Sequence, residues 1–110
     1  MDDLYSEIRE KTKQLERSVK ELRKSGTAYA QAEKDYKIIL RQEALTLRDE
    51  GMAVGMIDKT CYGIPKVAEA RFKRDVAEAV YKANMEAINS LKLQIRIINE
   101  QISREWGSND

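Results

Sequence analysis

The chain has no histidine and a single cysteine, Cys61, among its 110 residues. Imidazole acid–base catalysis, Cys–His nucleophiles and the ordinary zinc constellations all need side chains that are missing. Cys61 has neither a second cysteine nor a basic cluster beside it to lower its pKa, so it reads as a packing thiol rather than a nucleophile. No G-x-x-x-x-G-K-[ST] loop and no G-x-G-x-x-G turn occurs, which leaves out those phosphate-cradling devices. Carboxylates do pair, at Asp49-Glu50 and at Glu33 with Asp35, but in mixed-charge helical surroundings where a solvated face explains them. The expectation is a protein that is not an enzyme and holds no metal or cofactor.

Two groups of residues carry binding chemistry instead. Arg9, Lys13, Arg17, Lys20, Arg23 and Lys24 occupy outer positions of one helix with only Glu10 and Glu16 as acids among them. Six cations on one face can track phosphates in a salt-dependent, sequence-independent way. No aromatic residues interleave to stack bases, and pairing between i and i+4 neighbours accounts for much of such a face. The second group lies in 51–64, where Met52, Val54, Met56, Ile57, Cys61, Tyr62 and Ile64 surround Asp58 and Lys59, the only charges. A connection needs only to satisfy its own backbone. Such apolar content means either that the segment caps the helix ends or that Met52, Met56, Ile57 and Tyr62 dock a partner.

Helix breakers locate the elements that must position these groups. Pro65 is the only proline, and Gly51, Gly55 and Gly63 closely precede it. The chain therefore divides into a helix over 3–50, a short helical or looped tip over 51–64, and a helix over 65–106 that stops before Gly107. With Ile8 at heptad position a, Ile8, Leu15, Leu22, Tyr29 and Tyr36 fall on successive a positions, flanked by Leu4, Val19, Ala32, Ile39, Leu40 and Leu47. In the last segment Val67, Arg74, Tyr81, Ile88, Ile95 and Ile102 repeat the spacing, with Ala70, Ala77, Asn84, Leu91 and Ile98 on d. Ser25-Gly26 interrupts the first pattern, where a glycine costs about 1 kcal/mol relative to Ala, yet the helix is expected to continue. Gly51 suits the left-handed residue past the last turn, and Pro65 suits a first turn.

Two long helices joined by a short connection form an antiparallel hairpin, because a parallel pair needs a linker as long as the helix. The expected fold is all-α: one domain over 1–110, a long coiled-coil-like hairpin with a short tip, pairing into a helical bundle. Its register is inferred from polar exceptions on the seam. Glu43 and Arg74 neutralise each other if paired residue numbers sum to about 117, which sets Tyr36 near Tyr81, Tyr29 near Ile88 and Leu22 near Ile95. That register also brings Asn84 to the hydroxyls of Tyr29 and Tyr36. A lone hairpin has little core for its surface, so Leu40, Leu47, Val80, Met85, Leu93 and Ile97 are expected to be buried by a second copy.

Charge and punctuation bear on location. Twenty basic residues against nineteen acidic ones leave a formal net charge of +1, so no bulk attraction to polyanions exists. A single cysteine fits a reducing compartment. The start, Met1-Asp2-Asp3-Leu4-Tyr5, has no basic n-region or apolar h-region, and no window approaches the roughly 18 apolar residues of a membrane span. A cytoplasmic, non-membrane protein is expected.

Gly51, Val54, Ile57, Gly63 and Val67 faintly resemble a helix-turn-helix framework. The spacing departs from it: Ile57 to Gly63 is one residue too long, Gly63 to Val67 is too short, and Pro65 falls in the turn. Leu47-Arg48-Asp49-Glu50-Gly51-Met52 and Ala87-Ile88-Asn89-Ser90-Leu91-Lys92-Leu93-Gln94-Ile95-Arg96 resemble a group of small helical proteins encoded by bacteriophages and prophages of Gram-positive bacteria. That resemblance implies an accessory phage protein in the host cytoplasm, and it brings no catalytic residues. Three functions follow as expectations. They are an oligomeric coiled-coil interaction module with itself as partner, a nucleic-acid-associated accessory of phage replication or recombination, and a phage inhibitor docking on a host or anti-phage defence enzyme.

Overall fold

The structure, a computed structural model, describes residues 2–108 and consists of α1 (Asp2–Asp49), α2 (Val54–Tyr62) and α3 (Pro65–Ser108). The fold is all-helical, with α1 and α3 forming a long antiparallel hairpin and no strand among the described residues. Heptad spacing does what it should on α1: Ile8, Leu15, Leu22 and Tyr29 are half-buried and Tyr36 is buried. Ser25-Gly26 leaves α1 unbroken, as expected.

The helix ends are closed by identifiable chemistry. Gly51 adopts φ +89°, a left-handed conformation that costs glycine nothing. Its N–H donates to the Arg48 carbonyl at 3.0 Å and the Met52 N–H donates to the Leu47 carbonyl at 3.1 Å, the paired bonds of a Schellman closure. At the start of α3 the Ile64 carbonyl accepts from the N–H groups of Val67 and Ala68, at 3.0 and 2.9 Å. Pro65 sits where a missing N–H costs nothing. α3 continues through Gly107 to Ser108, past the stop expected at 106, since one glycine in a last turn weakens a helix without ending it.

The chain divides into two compact units, Met1–Lys24 with Lys82–Asp110, and Ser25–Tyr81. In the first, Ile88, Leu91 and Ile98 of α3 are buried, and the Trp106 Nε1–H donates to the Tyr5 hydroxyl at 2.9 Å. In the second, Tyr36, Val67 and Ala70 form the core, with Ile39, Leu40 and Ile64 packed against them. Val67 is fully buried, worth roughly 1.5–3 kcal/mol for a side chain of its size. α2 contributes Ile57 and Cys61, one helical turn apart and both buried.

The register differs from the one inferred from charge. Glu43 pairs with Lys66 at 3.0 Å rather than with Arg74. Arg74 instead lies 4.5 Å from the Tyr36 ring centroid, 2.9 Å from Asp75 and 3.9 Å from Glu33. Tyr29 packs on Tyr81, with ring centroids 5.9 Å apart, and its hydroxyl donates to Glu78 at 3.1 Å. The Asn84 side-chain amide donates to the Glu21 carbonyl at 3.3 Å. Arg74 thus meets α1 at Tyr36 and Glu33, about seven to ten residues earlier than expected, or two to three turns.

The cause is α2. A sum near 117 treats 51–64 as a tip beyond the seam, whereas α2 folds back alongside the end of α1. Ile57 shares a pocket with Ala44, Leu45 and Arg48, and Cys61 shares one with Leu40 and Ala44. The last turns of α1 are therefore covered by α2, and α3 begins opposite Glu43.

Gly26 supplies a steric check on this register. A Cβ built there comes within 3.3 Å of the Tyr81 ring, so a small side chain forces only a slight shift and a large one cannot fit. Gly26→Ala gains up to about 1 kcal/mol of helix propensity and should leave stability within about 1 kcal/mol of wild type. Gly26→Leu should lower it by about 1–3 kcal/mol through overpacking. Urea unfolding at constant m-value measures both, and equal stability in the two variants would show that Tyr81 does not lie over Gly26.

Candidate functional site

α2 is amphipathic over about two and a half turns, and its two faces have separate fates. Ile57 and Cys61 point inward. Val54, Met56 and Tyr62 point outward and are 80%, 55% and 43% exposed. Of the four residues expected to dock a partner, Ile57 is therefore withdrawn from that role, because its side chain covers the end of α1. Met52 is half-buried and its backbone completes the closure of α1. Met56 and Tyr62 remain on the surface, and Val54, not among the four, is the most exposed large apolar side chain of the segment. Arg71 holds Tyr62 from one side, its guanidinium carbon 5.5 Å from the ring centroid.

Cys61 is 1% exposed. Burial pushes its thiol pKa up, and Asp58 and Glu43 push it further the same way. The thiolate that a nucleophile requires is disfavoured, which agrees with a packing role.

The other side of the same unit carries a groove of about 390 Å3. Ala32, Ile38, Ile39 and Ala70 form its apolar floor and wall, while Asp35, Glu69, Lys66 and Lys73 form its rim. On the helical wheel of α1, Asp35 and Ile38 lie across the axis from Leu40 and Ala44, the residues that α2 covers. Val76 and Val80 continue the α3 wall of this groove at i+3 and i+7 from Lys73, and both are about half exposed. Heptad notation places Ala32, Ile39 and Ala70 on d positions of the seam and gives no sign of the groove they also line, whose other residues are at neither a nor d.

The expected seam-flanking residues separate in the same way. Leu40, Leu47 and Met85 are half-buried within the chain, and α2 accounts for Leu40. Val80, Leu93 and Ile97 are exposed. In the first unit Lys92, Ile95, Arg96, Asn99, Glu100 and Arg104 are among the residues lining an open groove of about 590 Å3 on α3.

All six cations of the basic face, Arg9, Lys13, Arg17, Lys20, Arg23 and Lys24, are exposed on α1. Arg17 lies 3.7 Å from Glu10 and Lys24 lies 3.5 Å from Glu21. Acids on the same helix thus partly neutralise the row, as expected of a solvated face. The seam pair of the sequence reading, Glu43 and Arg74, is divided between Lys66 on one hand and Glu33 with Asp75 on the other.

No helix among the described residues is long and apolar enough to cross a membrane. No family model matches the chain, and no curated protein or solved structure matches it either.

The two faces of α2 predict opposite mutational responses. Ile57→Asp places a charge in an apolar contact and should cost at least about 3 kcal/mol, whereas Met56→Asp should stay within about 0.5 kcal/mol of wild type. Comparable melting temperatures for the two variants would overturn the assignment of faces. The thiol offers a second check. Because folding raises the Cys61 pKa, its contribution is complete below the unfolded-state pKa and is lost as pH rises through the folded value. Stability should therefore decline on the alkaline side, and the decline should be smaller in Cys61→Ala. Iodoacetamide should modify native Cys61 far more slowly than the urea-unfolded chain, and equal rates would contradict burial.

Proposed function

We propose that this chain is a non-catalytic helical interaction module that works by self-association, in the manner of an accessory protein of a bacteriophage or prophage acting in the host cytoplasm. One observation carries the self-association: a hairpin whose seam is already filled still leaves Val76 and Val80 in one unit, and Leu93 and Ile97 in the other, about half exposed. Isolated apolar residues on a surface are ordinary, but pairs one turn apart on a helix form a continuous stripe, and such stripes seek a partner helix. Two hairpins joined along them make a four-helix bundle. The phage-type setting rests on the resemblance of 47–52 and 87–96 alone.

Exposure of Val54 and Met56 on α2 favours one further reading, in which the same module presents this end to a host or defence enzyme as an inhibitor. Met side chains adapt to irregular partner surfaces, which suits that use. The nucleic-acid reading receives less support, since Glu10 and Glu21 sit among the cations that would have to meet phosphates.

Light scattering on the purified chain separates these outcomes. Self-association gives a mass of at least twice 12.7 kDa at micromolar concentration, and a monomer at high micromolar concentration overturns it. For the second reading, Val54→Asp with Met56→Asp should abolish biological activity in host cells without changing melting. Unchanged activity would remove α2 as the working end.

A further inference from the structure

We infer that the groove opposite α2 is the seat of a second copy of this chain, related by a two-fold axis parallel to the hairpin, and that Asp35 and Lys73 pair across it. The inference rests on the self-association proposed above and names its face, its partner and its register.

Three observations point to a second copy rather than to a different protein. The first is charge. The groove rim carries two acids and two lysines, Asp35 and Glu69 against Lys66 and Lys73. A surface that must meet its own image needs both signs on itself, and a rim of one sign would repel its copy.

The second observation is level. Glu33 and Tyr36 of α1 both contact Arg74 of α3, so Asp35 and Lys73 lie at one height on the two helices. A two-fold axis parallel to the helices, lying in the plane between two hairpins, sets α1 of each copy against α3 of the other at unchanged height. Asp35 of each then faces Lys73 of the other, so one interaction occurs twice. Every α1–α3 neighbour is antiparallel in this arrangement, which keeps the helix dipoles opposed.

The third is shape. Tyr29 contacts both Glu78 and Tyr81, which places Ala28 level with Val80. Under the same two-fold axis, exposed Val80 of one copy meets the small Ala28 of the other. By the same register Ile38, 44% exposed, meets Ala70, whose methyl floors the groove. Large against small at successive levels is how facing helices interdigitate without voids.

The two charge reversals Asp35→Lys and Lys73→Asp make a test specific to this geometry. Each variant alone opposes like charges twice in its own homodimer, and its dissociation constant should rise about tenfold or more. Mixed in equal amounts, the two variants restore both opposite-charge contacts, so a heterodimer should form at near wild-type affinity. Sedimentation equilibrium at low salt reads all four samples, and far-UV circular dichroism checks that each variant is folded. Heterodimer recovery supports the proposal. If the wild type is a dimer and either single variant matches its affinity, or the mixture fails to recover, the face or the register is wrong while self-association stands. A monomeric wild type removes this inference and the self-association reading together. Val80→Asp gives a charge-independent arm: it should dissociate the dimer with melting of the monomer unchanged, and a dimer that persists overturns the assignment.

Discussion

Placement of α2 is the constraint on which the rest of this hairpin depends. Ile57 and Cys61 form a two-residue apolar face, and the nearest place to bury it is the end of α1 that the Schellman closure at Gly51 has just left behind. Once α2 lies there, α3 cannot cover the same turns. It starts opposite Glu43, and the pairing of every later residue follows from that start.

The seam is then specified by volume more than by charge. Gly26 leaves room for the Tyr81 ring, Tyr29 packs on that ring, and Tyr36 lies buried beside Val67 and Ala70. Rigid side chains of this size fit few registers, whereas long charged ones fit many. Arg74 occupies an a position by laying its guanidinium on Tyr36 and turning its charge toward Asp75, and Glu43 is reached by an exposed lysine. Neither charge needed the other. Partly exposed pairs of this kind contribute about 0–1 kcal/mol each, too little to outweigh a buried tyrosine.

Elements and their inward faces were legible in the sequence because they depend on local rules. Heptad spacing from Ile8 and from Val67 marks the seam residues, Gly51 and Pro65 mark the helix ends, and an inward Cys61 follows from the lack of any group to ionise it. Register was not legible. It depends on whether 51–64 extends beyond the seam or folds beside it, and a nine-residue helix with two inward side chains carries too weak a periodic signal to decide. The division of the apolar segment into Ile57 inward and Met56 outward was hidden for the same reason. Ser25 is a further case: it is buried on the seam, but a serine beside a glycine reads as an interruption and not as a packing site. The groove went unseen because Ala32, Ile39 and Ala70 read as seam residues, while Asp35, Lys66, Glu69 and Lys73 beside them read as a solvated row.

Coverage by α2 also makes the second unit two-sided. Beside Leu40 and Ala44 the hairpin is closed by its own chain, while beside Asp35 and Ile38 it is open. A hairpin open on both sides could add neighbours without limit, since each new copy would present another free face. With one side already filled, a two-fold contact on the other uses the remaining face of both partners and terminates. In the proposed two-fold arrangement the same short helix that displaces the register of α3 would also limit assembly through this unit to a pair.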